Sequence, residues 1–281
     1  MTLTEFAKQK PYLVCVDSDG CAMDTMDIKH FRCFGPCMVD EWGLDAWRKD
    51  ILDRWNEINL YTVTRGINRF KGLAQALGEI HTRYTPIDGI DDLTGWAEHS
   101  PELSNAALGR MIEQFPDKRV FAKALAWSIA VNKAITALPD DLKQPFPLVK
   151  EALAHAHTFA DVAIVSSANL DAVLAEWQEH GLLDYVDVVC SQNDGSKAYC
   201  IQKLLEQGYD KSCVLMCGDA PGDLAAAEKN GVHFYPILVK AEKASWQEFI
   251  DAGAQHLQSG SYSGDYADAK RRAFYQNLGE N

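Results

Sequence analysis

The stretch "YLVCVDSDGCAMDT", residues 12–25, sets a short apolar run directly against two aspartates, Asp17 and Asp19, with Gly20 behind them. Strands of soluble domains seldom end on a pair of carboxylates. Two residues along an extended chain return a side chain to the same face, so Asp17 and Asp19 are expected to point the same way. A glycine after them permits a turn that most side chains would obstruct. The pattern is that of a strand delivering paired carboxylates to the edge of a sheet.

Four further apolar runs have strand character: "VAIV" (162–165), "VDVVC" (186–190), "CVLMCG" (213–218) and "HFYPIL" (233–238). Helical patterns separate them. "LDAVLAEWQEHG" places Leu170, Val173, Leu174 and Trp177 on one face and stops at Gly181, while "AYCIQKLLEQG" and "DLAAAEKNG" stop at Gly208 and Gly231. Strands that alternate with glycine-terminated helices indicate an α/β fold: a doubly wound, Rossmann-like parallel sheet covered on both faces. Between the first run and the second, segments such as "VDEWGLDAWRKDILDRWNEINLY" and "KRVFAKALAWSIAVNKAITAL" have helical period and little strand signal. The proline-rich "LPDDLKQPFP" (138–147) closes this region. Residues 1–21 and 149–281 are therefore expected to form the sheet domain, and residues 22–148 an all-helical inserted domain.

Composition narrows the function classes. The chain has 281 residues, 47% hydrophobic and 24% charged, with a formal net charge of −13. Such an acidic chain is not expected to bind nucleic acid, whose partners normally present a basic face. No apolar run approaches the ~20 residues of a membrane span, and "MTLTEFAKQKPY" lacks an apolar signal core, so a cytoplasmic protein without membrane contact is expected. Eight cysteines are present without a C-x-x-C pair, which favours reduced structural thiols over zinc or disulfides. Composition leaves oligomeric state open, a homo-oligomer included.

In a doubly wound sheet, ligands bind beyond the carboxyl ends of the strands. The residues expected there are Asp17, Asp19 and Gly20 after the first strand, and Ser166 and Ser167 after the second. Lys197 follows the third in "SQNDGSK", and Asp219 and Asp223 follow the fourth in "GDAPGD". Taken singly, each is commonplace as a turn former, a cap or a surface charge. In this order, from strand-DxDG through strand-Ser and a downstream lysine to strand-GDxxxD, they resemble the haloacid dehalogenase superfamily, specifically its phosphatases with a helical cap. The likeness covers residues 11 to about 240. Departures are Cys21, where the family usually has threonine, and Ala198, where proline often follows the lysine.

The resemblance implies that Asp17 is the nucleophile, forming an aspartyl phosphate, and that Asp19 is the general acid and then the base. It also implies a Mg2+ ion held by the side chains of Asp17 and Asp219 and the carbonyl of Asp19, with Asp223 helping. Ser166 would hydrogen-bond the transferring phosphoryl group and Lys197 would neutralise charge. A cation is expected on physical grounds too, since like charges ~5 Å apart repel by about 3 kcal/mol at an effective dielectric near 20. The second aspartate favours phosphoryl chemistry over cleavage of carbon–halogen bonds, because members with that activity lack it. The expected function is hydrolysis of a small phosphorylated metabolite, with a phosphomutase as the alternative; a receiver-type signalling domain would lack the large insert. Gly20 and Ser167 are expected to contact substrate. So are Arg65 and Arg69 of the insert, which lie on one face if the segment after Thr64 is helical.

Overall fold

The computed structural model describes residues 3–279. It divides into two compact units. One takes the chain up to Met26 and resumes at Asp140; the other is Asp27–Pro139.

The first unit is built on a five-stranded parallel sheet: β1 (Tyr12–Val16), β2 (Ala160–Val165), β3 (Val188–Cys190), β4 (Val214–Gly218) and β5 (His233–Pro236), in the order β3-β2-β1-β4-β5. Every residue of β2, β3 and β4 is buried, as expected where helices cover both faces and the strands read as unbroken apolar runs. Val14, Val16, Val162 and Ile164 are fully or almost fully buried, each worth roughly 1.5–3 kcal/mol of transfer free energy. Asp161 is the exception in polarity. It is fully buried, and its Oδ2 accepts the N–H groups of Gln9 and Lys10, both at 2.9 Å, and the Tyr209 hydroxyl. This carboxylate pins the N-terminal arm to the sheet.

Helices Leu170–Glu179, Lys197–Leu205 and Pro221–Asn230 return the chain between strands, and Gly181, Gly208 and Gly231 follow them with positive φ. Val173 and Trp177 of the first are buried in the sheet core, with Leu170 and Leu174 packed against it. Chain order runs outward from β1 to β3, then crosses back to β4. The switch point of the topology is therefore the crevice at the ends of β1 and β4.

Residues 22–26 and 140–148, grouped by the sequence pattern with the insert, run with the sheet unit. Met23 bridges to Pro145, the Asp24 N–H donates to Gln144 O at 2.8 Å, and the Phe146 N–H donates to Ala22 O at 2.9 Å. These pairings join segments more than a hundred residues apart, so no local signal marks them.

The second unit packs helices Gly35–Trp42, Arg48–Leu60, Arg69–Arg83, Ile90–His99, Asn105–Gln114 and Arg119–Thr136 around a separate core. Aromatic rings meet edge to face within it, Trp55 with Trp127 at 6.1 Å and Phe70 with Trp96 at 5.3 Å. No helix among the described residues is long and apolar enough to cross a membrane.

Candidate active site

Asp17 is the first residue beyond β1, and its N–H still donates to Cys217 O of β4 at 3.0 Å. Val16 pairs with Cys217 on one side and Ile164 on the other, so the register carries Asp17, Asp219 and Ser166 to one edge of the sheet. Asp219 follows β4 directly, and Asp223 sits in the first turn of the helix Pro221–Asn230, where its Oδ2 accepts the Ala220 N–H at 3.1 Å. All three aspartates are buried, and ligand oxygens from each lie within 4.8 Å of one another.

Lys197 opens the helix Lys197–Leu205 behind the Ser196 cap. Its Nζ lies 2.8 Å from Asp17 Oδ2 and 2.6 Å from Asp223 Oδ1. Burial works against its charge, yet Asp17 and Asp223 hold the ammonium well above the ordinary lysine range. Burial raises the Asp17 pKa, Lys197 opposes the rise, and Asp223 and Asp219 add to it. Three clustered carboxylates, two of them paired with one ammonium, leave two formal negative charges in a buried place. A hard divalent cation balances that charge and prefers oxygen donors, so the residues present fit Mg2+. Gly218 makes room for the arrangement. A Cβ there would lie 2.3 Å from Asp223 Cγ, so any side chain would displace that carboxylate.

The loop beyond Asp17 is folded back on itself. Gly20, at φ 84°, donates to Met23 O at 2.8 Å, and Ser18 O accepts the N–H groups of Cys21, Ala22 and Met23. Asp19 is half-buried, and its Oδ1 accepts the hydroxyl of the fully buried Thr25. Ser166 is 4% exposed; its N–H donates to Cys190 O at 2.9 Å and its Oγ accepts the Ala168 N–H at 3.1 Å. Ser167 is exposed on the same turn. Cys21 is buried, and burial pushes its thiol pKa well up.

Thr25 and Gly218 were not singled out by sequence. Gly218 stands openly in "GDAPGD", where a glycine before two carboxylates was the available signal. Thr25 offers none, because only the folded loop brings it to Asp19.

The helical unit corrects one expectation. Residues 63–66 form a turn, and Asn68 caps a helix that begins only at Arg69, accepting the Phe70 N–H at 2.9 Å. Arg65 and Arg69 therefore share no helical face. Arg65 is 2% exposed, donates to Leu60 O at 2.8 Å and stands 3.9 Å from Asp27 Oδ1. Arg69 donates to Ser128 Oγ at 3.1 Å and Asn132 Oδ1 at 2.7 Å, with its guanidinium 5.1 Å above the Phe34 ring.

Residues 96–237, half of the chain, match the sequence model of the haloacid dehalogenase-like hydrolases. The match ends at β5 and begins inside the helical unit, leaving β1 and its aspartates outside it. No curated protein matches the chain. Among solved structures, a haloacid dehalogenase-like hydrolase assigned in Bacteroides fragilis superposes with a TM-score of 0.51 at 14% identity, covering 84% of this chain and 93% of that one. A protein assigned as β-phosphoglucomutase from Thermotoga maritima gives 0.51 at 14% identity, covering 87% and 99%. One assigned as phosphoglycolate phosphatase from Lactobacillus plantarum gives 0.50 at 12%, covering 88% and 92%. At these identities the superpositions establish a shared fold, and together with the family match they show that this chain belongs to the haloacid dehalogenase-like hydrolases.

Proposed function

We propose that the protein is a Mg2+-dependent phosphatase that hydrolyses a small phosphate monoester through an aspartyl phosphate on Asp17. The observation that carries this reading is the single ammonium of Lys197 joined to both Asp17 and Asp223 inside a buried cluster of three carboxylates. An anionic nucleophile meeting a phosphate dianion needs positive charge already in place, because reorganising it during reaction would add to the barrier.

A Mg2+ ion held by Asp17 and Asp219, the Asp19 carbonyl and Asp223 would neutralise charge on the phosphoryl oxygens. One Asp17 oxygen attacks phosphorus while the bond to the ester oxygen breaks. Asp19 gives its proton to that departing oxygen, releasing the alcohol. Thr25, donating to Asp19 Oδ1, fixes the orientation of the carboxyl for this transfer. Asp19, now a carboxylate, takes a proton from a water molecule. The water oxygen attacks phosphorus, the bond to Asp17 breaks, and orthophosphate leaves. Lys197 holds Asp17 and faces the charge that passes between it and the phosphoryl group. Ser166 accepts a backbone N–H through Oγ, leaving its hydroxyl proton to donate to a phosphoryl oxygen. Gly20 and Ser167 complete the phosphoryl pocket.

The helical unit supplies the cap that selects the leaving group, and Arg69, which pairs with neutral groups, is the better candidate there than the internally engaged Arg65. Free thiols at all eight cysteines and the net charge of −13 support a cytoplasmic enzyme acting on a small metabolite rather than on nucleic acid. A panel of phosphate monoesters assayed for orthophosphate release with Mg2+, and for isomerisation of sugar phosphates without release, tests the reading. Orthophosphate release by the wild type and none by Asp17→Asn supports it; isomerisation alone would establish a mutase instead.

A further inference from the structure

Two buried indoles reach the loop of Asp17 and Asp19 from elements outside the four motifs. Trp177 Nε1, in the helix Leu170–Glu179, donates to Ser18 Oγ at 2.9 Å. Trp246 Nε1, in the helix Glu242–Glu248, donates to Cys21 O at 3.1 Å. The two side chains are 0% and 1% exposed, and Ser18 and Cys21 are fully buried.

Ser18 is the residue between the two aspartates, and its hydroxyl meets the Trp177 indole while Asp17 meets Lys197. Its carbonyl already collects the N–H groups of Cys21, Ala22 and Met23, so three bonds of the turn meet at this residue. Indole is a donor without an acceptor, and a buried one needs a partner. In the helical unit, Trp55 and Trp127 find theirs within their own layer, at His30 Nδ1 and Phe34 O. The two tryptophans of the sheet unit both take theirs from the five residues 17–21. Trp246 also lies beyond residue 237, where the family match ends.

We infer that Trp177 and Trp246 are positioning residues, which clamp the 17–21 loop from behind so that Asp17 and Asp19 keep the directions that in-line transfer requires. The inference rests on the phosphatase reading above. They touch neither substrate nor reacting atoms and act through Ser18 and Cys21. A misplacement of about 1 Å at a reacting group costs on the order of 10²-fold in rate, so small loop shifts are enough to matter.

The test uses the full-length chain with Trp177→Phe, Trp246→Phe, Ser18→Ala and the double variant Ser18→Ala/Trp177→Phe. Phenylalanine keeps a ring in place and removes the N–H. Turnover of p-nitrophenyl phosphate with Mg2+ is measured well below the Tm of each variant, and amide hydrogen exchange is measured without substrate. The expected result is a fall in kcat of roughly tenfold or more in each single variant with KM changed by no more than about twofold. The double variant should be no worse than its worse parent by more than about twofold, because both changes cut one bond. Exchange at Gly20–Met23 should accelerate at least about tenfold while the Ile237 amide, bonded to Gly218 O, stays as in the wild type.

A lowered Tm with unchanged kcat and loop exchange would make the tryptophans core residues only and overturn the proposal. So would losses in kcat that multiply in the double variant. If Trp177→Phe does not fold, Ser18→Ala decides, since it removes the same bond without touching the ring. A wild type that turns over no ester would defeat the phosphatase reading instead, and unchanged loop exchange in the variants would then defeat the clamp separately.

Discussion

Burial holds the Asp17 carboxyl well above the usual carboxylate range, against the pull of Lys197. Such a group binds more protons folded than unfolded, so its contribution to stability falls as pH rises from the ordinary carboxylate value through the folded one. The metal-free protein should therefore lose Tm from about pH 4 upward on account of this group, and Mg2+ should restore it near neutrality. Asp17→Asn in excess chelator at pH 7.5 should melt at or above the wild type while showing no turnover; a lower Tm in thermal scans would contradict the assigned charge balance. Thr25 allows a finer check. Thr25→Val keeps the shape and removes the donor to Asp19. It should slow alkyl phosphates by roughly tenfold and p-nitrophenyl phosphate far less, since the latter needs little protonation to depart. Equal slowing of both would separate Thr25 from proton transfer. The positions of Asp17, Asp19 and Lys197 at the sheet edge were legible because each side chain follows a strand or opens a helix at a readable place. Thr25 was not, since its contact with Asp19 exists only once the loop has folded back.

At the scale of elements, the ends of β1 and β4 bring the cluster together, and Gly218 sets how closely β4 can approach the helix behind it. Gly218→Ala should push Asp223 away from Lys197 and weaken both charge balance and metal binding. Calorimetric titration with Mg2+ should show at least about a tenfold loss of affinity, with turnover reduced by roughly 10²-fold or more. Unchanged affinity would show that Asp223 tolerates the shift. The strands were readable as apolar runs because both faces of a parallel sheet are buried, which removes the ambiguity of partial exposure. The start of the helix at Arg69 was left open by the sequence for the opposite reason. Polar residues of the "YTVTRGINRF" kind are compatible with helix or turn, and the choice went to the Asn68 cap and to Arg65, which spends its guanidinium on Leu60 O.

At the scale of the whole molecule, the described residues form two hydrophobic cores, one around the sheet and one within residues 27–139. Trp42, Trp47, Trp55, Trp96 and Trp127 belong to the helical unit, and Trp177 and Trp246 to the sheet unit. Leu73→Ala, at a fully buried position of the helical core, should cost about 2–5 kcal/mol there. Urea unfolding followed by tryptophan fluorescence should then separate into two steps, with the transition of the sheet unit left in place. A single transition shifted as one would show that the two cores unfold together. The alternation of strands and helices, the long helical insert and the order of the polar side chains that follow the strands were determined by sequence alone, because periodicity and strand ends are local properties of the chain. Which strands neighbour one another, the closeness of three carboxylates to one another and the pairing of two of them with Lys197 were decided only by tertiary structure. So was the pairing of residues 22–24 with 144–146. Each of these depends on contacts between segments distant along the chain, where burial and charge are set by neighbours that no local pattern names.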